Sequence, residues 1–220
     1  MDIQIRKAGP NDVEFLVETI VEAEKSGGDI FSYTTIFGLD EAESRKYIHR
    51  MLEEEVDGCE LSVSSFYVAV KKGVLIGAVS AWIEGLAGPS SILKGNLLQV
   101  TLPKSCFKSL AAAGRMLNEL QFDHKNDTIQ LGLVYLTSAA RGKGLVKDLI
   151  HFAVSDLKMH NPQIPCDEVY VQVFGGNIPA IKAYEKVGFD VADSKQSACQ
   201  DAGKYLPSNS KLLMKLKLNR

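Results

Sequence analysis

The stretch from residue 129 to residue 157 restricts most strongly what this chain can fold into. It begins with an apolar, β-branched run, Ile129–Leu136, which has the length and composition of a buried strand. It ends at residues 145–157, where apolar side chains recur at helical spacing and polar ones lie opposite. Arg-Gly-Lys-Gly lies between them at 141–144. The pattern predicts a strand, a basic glycine-rich turn and an amphipathic helix in direct succession.

This turn has the properties of an anion-binding site. The first amides of a helix have no partner inside the helix and lie at the positive end of the helix dipole. Gly142 and Gly144 have no Cβ, so a ligand can approach the backbone closely. Arg141 and Lys143 add positive charge. We therefore expect the turn to bind a phosphate group.

Two common phosphate-binding motifs do not fit these residues. A P-loop requires Gly-x-x-x-x-Gly-Lys-Ser/Thr, but Gly144 follows Lys143 where Ser or Thr belongs. The dinucleotide fingerprint requires a third glycine at position 147, which is Lys147. The turn instead resembles the pyrophosphate loop of the GNAT family of acetyltransferases, Arg/Gln-x-x-Gly-x-Gly/Ala. Arg141 and Gly144 fit that pattern, and Val146 departs from its last position.

Composition restricts the class of protein and its partners. Of the 220 residues, 45% are hydrophobic and 24% are charged, which is ordinary for a globular protein. The net charge of −2 gives no broad attraction to nucleic acid or to an anionic membrane. No apolar run is long enough to span a bilayer, and the first residues lack the features of a signal peptide. We expect a cytoplasmic protein whose partners include neither nucleic acid nor a membrane.

The cysteines give no sign of a metal site. No C-x-x-C pair is present, and none of the four histidines has zinc-ligand spacing with a cysteine. We therefore predict that the protein binds no metal and that its thiols are reduced. The thiols are those of Cys59, Cys106, Cys166 and Cys199.

The rest of the chain alternates between strand-like and helix-like patterns. Asn11 with Glu14 and Asp40 with Glu43 have the spacing of capping boxes at the starts of two helices. Asn177 can cap another helix, and Gly188 suits its closing position. Before the stretch described above, the pattern predicts a strand at 3–6, a helix from 11, a helix from 40 to about 56, a hairpin at 66–83 and a helix at 104–121. After it, the pattern predicts a strand at 168–174, a helix at 178–187, a strand from 189 and a strand at 211–218.

Three segments carry weaker patterns. Residues 29–37 are rich in aromatic side chains, and they predict either a loop fixed to the core or a lid over a substrate pocket. Gly85, Gly88 and Pro89 predict a loop after the hairpin. Residues 194–210 predict a polar loop. The role of residues 85–126 as a whole is left open.

A second motif strengthens the resemblance. Residues 177–189, Asn-Ile-Pro-Ala-Ile-Lys-Ala-Tyr-Glu-Lys-Val-Gly-Phe, resemble the GNAT motif Asn-x-x-Ala-x-x-x-Tyr-Glu-Lys-x-Gly-Phe and follow the Arg141 turn by one strand, as in that family. The resemblance covers nearly the whole chain. It implies one N-acetyltransferase domain over residues 1–220 with the α/β GNAT fold. That fold is a mixed, mostly antiparallel sheet of about seven strands flanked by helices, with a splayed central parallel pair formed by 129–136 and 168–174.

The resemblance also implies a co-substrate and its contacts. Acetyl-CoA would lie in the splayed gap, where its amide-bearing arm can satisfy exposed backbone groups. The arm would contact the end of the first strand and Asn177, and the pyrophosphate would meet the turn. The implied binding residues are Leu136, Thr137, Ser138, Arg141, Gly142, Lys143, Gly144, Leu145, Val146 and Asn177.

The implied reaction is direct attack of a primary amine, carried by a small molecule or a protein, on the thioester carbonyl. Only roughly one alkylamine molecule in a thousand is neutral at pH 7, so a group must accept its proton. Tyr184 lies where the family has a general acid for the departing thiolate. The family's usual basic glutamate aligns with Gln130, which cannot accept a proton at neutral pH. Candidate carboxylates elsewhere are Glu24, Asp29 and Glu84.

Two other interpretations remain at this stage. The departures at Gln130 and Val146 are compatible with a non-catalytic module that binds acyl-CoA as a sensor or interaction partner, whereas the retained Tyr184 favours an enzyme. A purely structural use of the fold would not need two cations in the turn. The acceptor is not predicted. A homodimer is compatible with the sequence, but no feature of the sequence argues for it.

Overall fold

The computed structural model of the protein describes residues 3–218, which form a mixed sheet with helices on both faces. Within this range the strands are β1 (Ile3–Lys7), β2 (Phe66–Lys71), β3 (Val74–Ile83), β4 (Ile129–Leu136), β5 (Glu168–Phe174), β6 (Asp190–Gln196) and β7 (Ser210–Lys217). The α-helices are α1 (Val13–Lys25), α2 (Ser32–Phe37), α3 (Glu41–Glu53), α4 (Ser90–Thr101), α5 (Cys106–Glu119), α6 (Leu145–His160), α7 (Ile178–Val187) and α8 (Ala202–Tyr205).

The sheet has the order β1-β2-β3-β4-β5-β7-β6. Only β4 and β5 run parallel among the described neighbours, and the other pairs are antiparallel. The predicted fold class is therefore confirmed: a mixed, mostly antiparallel seven-stranded sheet with a central parallel pair, flanked by helices.

The parallel pair opens along its length. β4 and β5 are paired at three positions, and the last of them joins Leu131 to Val171. β4 stays paired with β3 as far as Leu136, and β5 stays paired with β7 as far as Phe174. The two strands therefore separate because each follows its outer neighbour, and a gap opens between the second half of β4 and the end of β5.

Strand alternation divides the core into two layers. On β2, Tyr67 and Ala69 pack with α6 and α7, while Phe66 and Val68 pack with α1 and α3. This period of two is what a strand buried on both faces requires. A third cluster joins α2, α5 and α8 through Ile36, Ala113, Met116, Leu120, Ala202 and Leu206. No helix within residues 3–218 has the length and apolar character needed to cross a bilayer.

Several predicted local features form. Asp40 accepts a hydrogen bond from the Glu43 amide at 2.7 Å, and the Glu43 carboxylate accepts one from the Asp40 amide at 3.1 Å, which completes a capping box. Asn177 caps α7 by accepting from the Ala180 amide at 3.2 Å. Gly188 closes that helix with a φ of 110°, in the region that favours glycine.

Other predictions of local structure were wrong. Asn11 does not cap α1, because the chain enters that helix through a 3₁₀ turn at Pro10–Asp12. The Asp12 carboxylate instead accepts from the Gly9 amide and from Arg6. The segment after the hairpin contains α4, which the sequence did not predict. The predicted loops at 29–37 and 194–210 contain the short helices α2 and α8, and strand β6 extends to Gln196.

Candidate active site

A cavity of about 1350 Å³ occupies the gap between β4 and β5 and extends over the helices beside it. We divide its lining into two parts. The turn half is formed by β4 from residue 132 to 136, by residues 141, 142 and 144–147, and by residues 177, 179, 180, 182–184, 186 and 187 of α7 and its cap. The helical half is formed by α2, α4 and α5, by residues 122–124, and by Glu24, Glu60, Glu84, Gln172, Leu206 and Lys211.

The turn half presents free backbone donors. The amides of residues 142–146 have no hydrogen-bond partner among residues 3–218. Gly142 and Gly144 have φ angles of 75° and 80°, and a Cβ at either position would meet no protein atom within 4 Å. The free amides lie at the start of the sixteen-residue helix α6. The residues therefore fit a bound phosphate or pyrophosphate.

The two cations of the turn lie differently. The Arg141 side chain lines the cavity, and its Nε donates to the Leu136 carbonyl at 3.0 Å. The Lys143 Nζ donates to the Ala139 carbonyl at 2.6 Å, within its own loop. Arg141 therefore ties the turn to the end of β4.

The structure brings most of the sequence-predicted binding residues together. Thr137, Ser138 and Lys143 are not among the residues that line the cavity. The Thr137 amide donates to the Ile76 carbonyl at 3.0 Å, so this N–H is already used by β3. The lining does include Leu136, Arg141, Gly142, Gly144, Leu145, Val146, Asn177 and Tyr184.

The α7 residues close the turn half. The Asn177 Oδ1 atom is engaged in capping α7, which leaves its amide nitrogen as the remaining donor. The Tyr184 ring is 5% exposed and lies tilted against Phe189, with 5.8 Å between ring centroids. Burial raises the pKa of Tyr184 well above its usual value. The phenol therefore stays protonated at neutral pH, which is the form that can donate a proton.

The helical half is lined by charged groups and one orphan hydroxyl. Lys94 forms an ion pair with Glu60, and this pairing outweighs burial and holds the pKa of Glu60 below its usual value. The Lys211 ammonium lies 5.6 Å from the centre of the Phe174 ring, and burial together with the nearby Lys94 lowers its pKa. The Tyr33 hydroxyl is buried and has no hydrogen-bond partner within residues 3–218.

A buried carboxylate organises the wall beside α4. Glu84 is 3% exposed, and its Oε2 accepts from Trp82 Nε1 at 3.0 Å and from Ser90 Oγ at 2.5 Å. Its Oε1 accepts from the Ser90 amide at 2.9 Å. Burial alone would raise the pKa of Glu84, but the hydrogen bonds from Ser90 and Trp82 outweigh it and hold the pKa below its usual value. Glu84 is therefore a charged anchor for the start of α4.

His124 completes this network, and no sequence pattern predicted its role. Its Nδ1 lies 2.9 Å from Ser90 Oγ and 3.2 Å from Glu84 Oε2, and its Nε2 lies 2.7 Å from the Gln172 side-chain nitrogen. Glu84 lies 40 residues from His124 along the chain, and Gln172 lies 48 residues away. No spacing rule connects positions so far apart. Only their common position on the cavity wall relates them.

The sequence-predicted candidates for a base take different positions. Gln130 is 3% exposed and donates to Thr128 Oγ1 at 2.8 Å. Glu24 lines the cavity and accepts from the Ser32 hydroxyl. Asp29 is exposed and is not part of the lining, whereas Glu84 lines the cavity behind His124. Among the described residues, no group of three or more His, Cys, Asp or Glu side chains could hold a metal ion.

Comparison with known proteins identifies the family. The sequence profile of the Acetyltransferase (GNAT) family matches residues 32–189, which is more than half of the chain. The chain therefore belongs to the GNAT family, as the two glycine-containing motifs predicted.

Individual relatives share low sequence identity with this chain or match only a short part of it. A mycothiol acetyltransferase from Corynebacterium glutamicum is 37% identical over 71 residues, which are 32% of this chain and 23% of that protein. The match thus spans about a quarter of the length of this curated relative. An N-acetyltransferase structure from Staphylococcus aureus Mu50 superposes with a TM-score of 0.66 at 14% identity, covering 97% of this chain and 100% of the other.

A second similar structure was solved with coenzyme A bound. It is the paia N-acetyltransferase of Thermoplasma acidophilum in complex with coenzyme A, with a TM-score of 0.51 and 18% identity, and the match covers 99% of each chain. At these identities the two structures establish the fold. The GNAT fold is confirmed by them and by the sheet topology.

Proposed function

We propose that this chain transfers an acetyl group from acetyl-CoA to a primary amine of a small molecule or a protein, by direct attack of the amine on the thioester. The observation that carries the proposal is the row of free amides at residues 142–146, placed at the open end of the β4–β5 gap. Membership of the GNAT family supports the same reaction class.

The turn half supplies the contacts that acetyl-CoA needs. The free amides and the α6 dipole would hold the pyrophosphate, with Arg141 adding charge beside them. Beyond Leu131, β4 is not paired with β5, so its backbone groups on that side can meet an amide-bearing arm. The Asn177 side-chain nitrogen lies at the same opening. These residues fit an elongated thioester better than a compact anion.

Tyr184 is the group we propose as general acid. It lines the cavity near the gap, and its burial keeps the phenol protonated. When the C–S bond breaks, the thiolate takes a proton from the phenol, which prevents the thiolate from attacking again. A sensor that binds acyl-CoA without turnover would not require this residue.

We further propose that residues 1–220 act as a single N-acetyltransferase domain in the cytoplasm. The continuous sheet from β1 to β7 supports one domain. All four cysteines are free, which agrees with a reducing compartment. The mixed apolar and charged lining of the helical half suits an organic amine rather than a bare ion.

Calorimetry with a matched pair of glycine variants tests the proposal. Gly144 and Gly73 both have φ near 80°, and neither has a protein atom within 4 Å of an added Cβ, but Gly73 lies in the β2–β3 turn. Gly144→Asp and Gly73→Asp should therefore lose similar stability from backbone strain. Only Gly144→Asp places a carboxylate against the pyrophosphate, so we expect acetyl-CoA affinity to fall about 100-fold in that variant alone, about 2.7 kcal/mol.

Further ligands and acceptors complete the experiment. Wild-type protein should bind acetyl-CoA and desulfo-CoA but not NAD, and acetyl-CoA should raise its melting temperature by mass action. Transfer is then measured with a dipeptide carrying a free α-amine, with a diaminoalkane and with an amino sugar. Binding without transfer to any amine would favour the sensor interpretation. No binding of acetyl-CoA would reject both.

A further inference from the structure

The acceptor amine must lose a proton, and the structure points to a group that can take it. His124 lines the cavity with 23% of its side chain exposed, directly in front of the buried Glu84. The loop that follows α5 carries His124, and the end of β3 positions Glu84. Two separate parts of the chain are thus combined into one histidine–carboxylate pair that faces the gap.

The hydrogen bonds around the ring define its protonation state. Ser90 Oγ already donates to Glu84, so it can only accept from the ring, and the Glu84 carboxylate can only accept as well. Nδ1 must therefore carry the proton. On the other side, Gln172 offers an amide N–H to Nε2 at 2.7 Å, which requires a lone pair there. The network assigns the proton to Nδ1 and a lone pair to Nε2, the nitrogen that lies beside Gln172.

The position of Gln172 relates this nitrogen to the gap. Gln172 follows Val171, the last residue of β5 that is paired with β4. The Gln172 side-chain nitrogen lies 2.7 Å from His124 Nε2. An N–H donor at the opening of the gap is therefore within hydrogen-bond distance of that ring nitrogen. An acceptor amine entering the gap can occupy that place once the Gln172 side chain rotates aside.

Three carboxylates of the cavity lining, Glu24, Glu60 and Glu84, are poorer candidates. Glu84 is occupied by donors from Trp82 and Ser90. Glu60 is neutralised by Lys94, and its lowered pKa makes it a weak base. Glu24 belongs to the end of α1 and accepts from Ser32 of α2. Among the described residues, no side-chain hydrogen bond joins Glu24 or Glu84 to β4 or β5. Glu60 Oε2 lies close to Gly132, within 3.0 Å of where a Cβ would be, but it is held by the Lys94 ammonium.

We infer that His124 is the general base of the reaction and that Glu84 is its positioning residue, an inference that rests on the proposed acetyl transfer. Two protons leave the nitrogen of an alkylammonium acceptor. His124 Nε2 accepts the first and later releases it to solvent, while Glu84 stabilises the imidazolium through Nδ1–H. The N–C bond forms, the C–S bond breaks, and Tyr184 protonates the thiolate. The second nitrogen proton then restores the phenol, so that acetyl amide, CoA thiol and one proton are the products.

Two nucleophiles that differ in their protonation at pH 7 distinguish a general base at position 124 from a residue that only shapes the cavity. The first is the amine of the panel above that wild type acetylates fastest, called the alkylamine below, which is mostly protonated at pH 7. The second is hydroxylamine, which is already neutral at pH 7 and needs no base to become nucleophilic. His124→Gln retains one amide donor and one acceptor in the network. The exposed His160→Gln on α6 is the matched control.

We expect His124→Gln to lower kcat/KM for the alkylamine about 100-fold or more at pH 7, within the usual range for a general base. Transfer to hydroxylamine should stay within a few-fold of wild type, as should acetyl-CoA affinity. The alkylamine rate of the variant should recover as the pH rises and more amine is neutral. His160→Gln should match wild type in every assay.

Three outcomes would overturn the inference. Equal losses with both nucleophiles would show that His124 only shapes the cavity. An unchanged alkylamine rate in His124→Gln would exclude it as the base, and a selective alkylamine loss in Glu24→Gln instead would assign the role to Glu24. If wild type transfers acetyl to neither nucleophile, it is the proposed function that fails, and the failure is visible before any variant is compared.

Discussion

The turn half and the helical half of the cavity are built in different ways. The turn half uses backbone: free amides at residues 142–146, the unpaired side of β4 and the capped start of α7. The helical half uses side chains that come from many separate parts of the chain, among them Glu60, Glu84, Lys94 and His124. A ligand common to a whole family can be held by backbone geometry. A ligand particular to one protein has to be recognised by side chains.

We expect the largest effect on activity at Tyr184, the residue proposed to protonate the thiolate when the C–S bond breaks. Tyr184→Phe removes the proton for the thiolate, and we expect kcat to fall about 100- to 1000-fold, while acetyl-CoA affinity stays unchanged because the backbone donors remain. Tyr47→Phe on α3, which packs against the other core layer, is the control. A parallel loss of acetyl-CoA affinity in Tyr184→Phe would make this residue part of the binding surface instead.

Acid should weaken the helical half before the turn half. Glu84→Gln removes a charged acceptor from Trp82 and Ser90, and we expect a loss of about 2 kcal/mol in the free energy of unfolding at pH 7. Because the folded-state pKa of Glu84 is lowered, its contribution is present above the unfolded pKa of about 4.3 and disappears as the pH falls through the folded value.

Urea denaturation of wild type and Glu84→Gln at a series of pH values from 7 to 3 measures this. The two stabilities should converge in acid. A difference that stays constant over the whole range would mean that the carboxylate is not charged in the folded protein.

A smaller effect is expected at Gly132, where β4 leaves β5. A Cβ there would lie 2.6 Å from Ser80 Oγ and 3.1 Å from Trp82 Cζ3, so Gly132→Ala should cost about 1–3 kcal/mol through overpacking. Gly95→Ala on the exposed side of α4 meets no atom within 4 Å and should stabilise the helix by up to about 1 kcal/mol. Thermal denaturation compares the two. If Gly132→Ala and Gly95→Ala melt at the same temperature, the side chains around Gly132 move aside at little cost in stability.

The smallest effect concerns the contact between α2 and α8. Thr35 Oγ1 donates to the Tyr205 carbonyl at 2.6 Å. Thr35→Val keeps the shape and removes this donor, so we expect a loss of about 1 kcal/mol in the free energy of unfolding. The KM for the acceptor should rise, whereas the affinity for acetyl-CoA should not change. If Thr35→Val changes the affinity for acetyl-CoA as well as the KM for the acceptor, a change in the helical half also alters binding in the turn half.

The sequence predicted most strands and helices and the basic turn at 141–144 because these depend on local rules, whereas the splayed parallel pair was implied by the family resemblance. A strand, two glycines and a helix that follow one another at 129–157 must form a turn with free amides, whatever the rest of the chain does. The cap at Asn177 and the closing residue Gly188 follow from the same kind of rule. These features need only neighbours in the sequence.

The helical half could not be predicted because it depends on contacts between distant residues. α4 carries Gly95 and Asn96 within it and has no clear apolar face, so its pattern does not mark a helix. Its start is held by Glu84 from the end of β3, a contact that appears only in the folded chain. His124 is one of four histidines, and nothing in the residues around it distinguishes it from the others.

Different segments of the sequence form the two halves of the cavity, and this has a consequence for how proteins of this kind diverge. The helical half comes mainly from two long connections, residues 26–65 and 84–128, which lie on either side of the β2–β3 hairpin. The first connection runs from the end of α1 to β2 and the second from β3 to β4, and the register of these three strands is fixed by their neighbours. Insertions, deletions and substitutions in these connections can therefore accumulate without shifting the gap or the turn at 141–144. Selection can alter the choice of acceptor in one part of the gene while the part that binds the common donor is inherited unchanged.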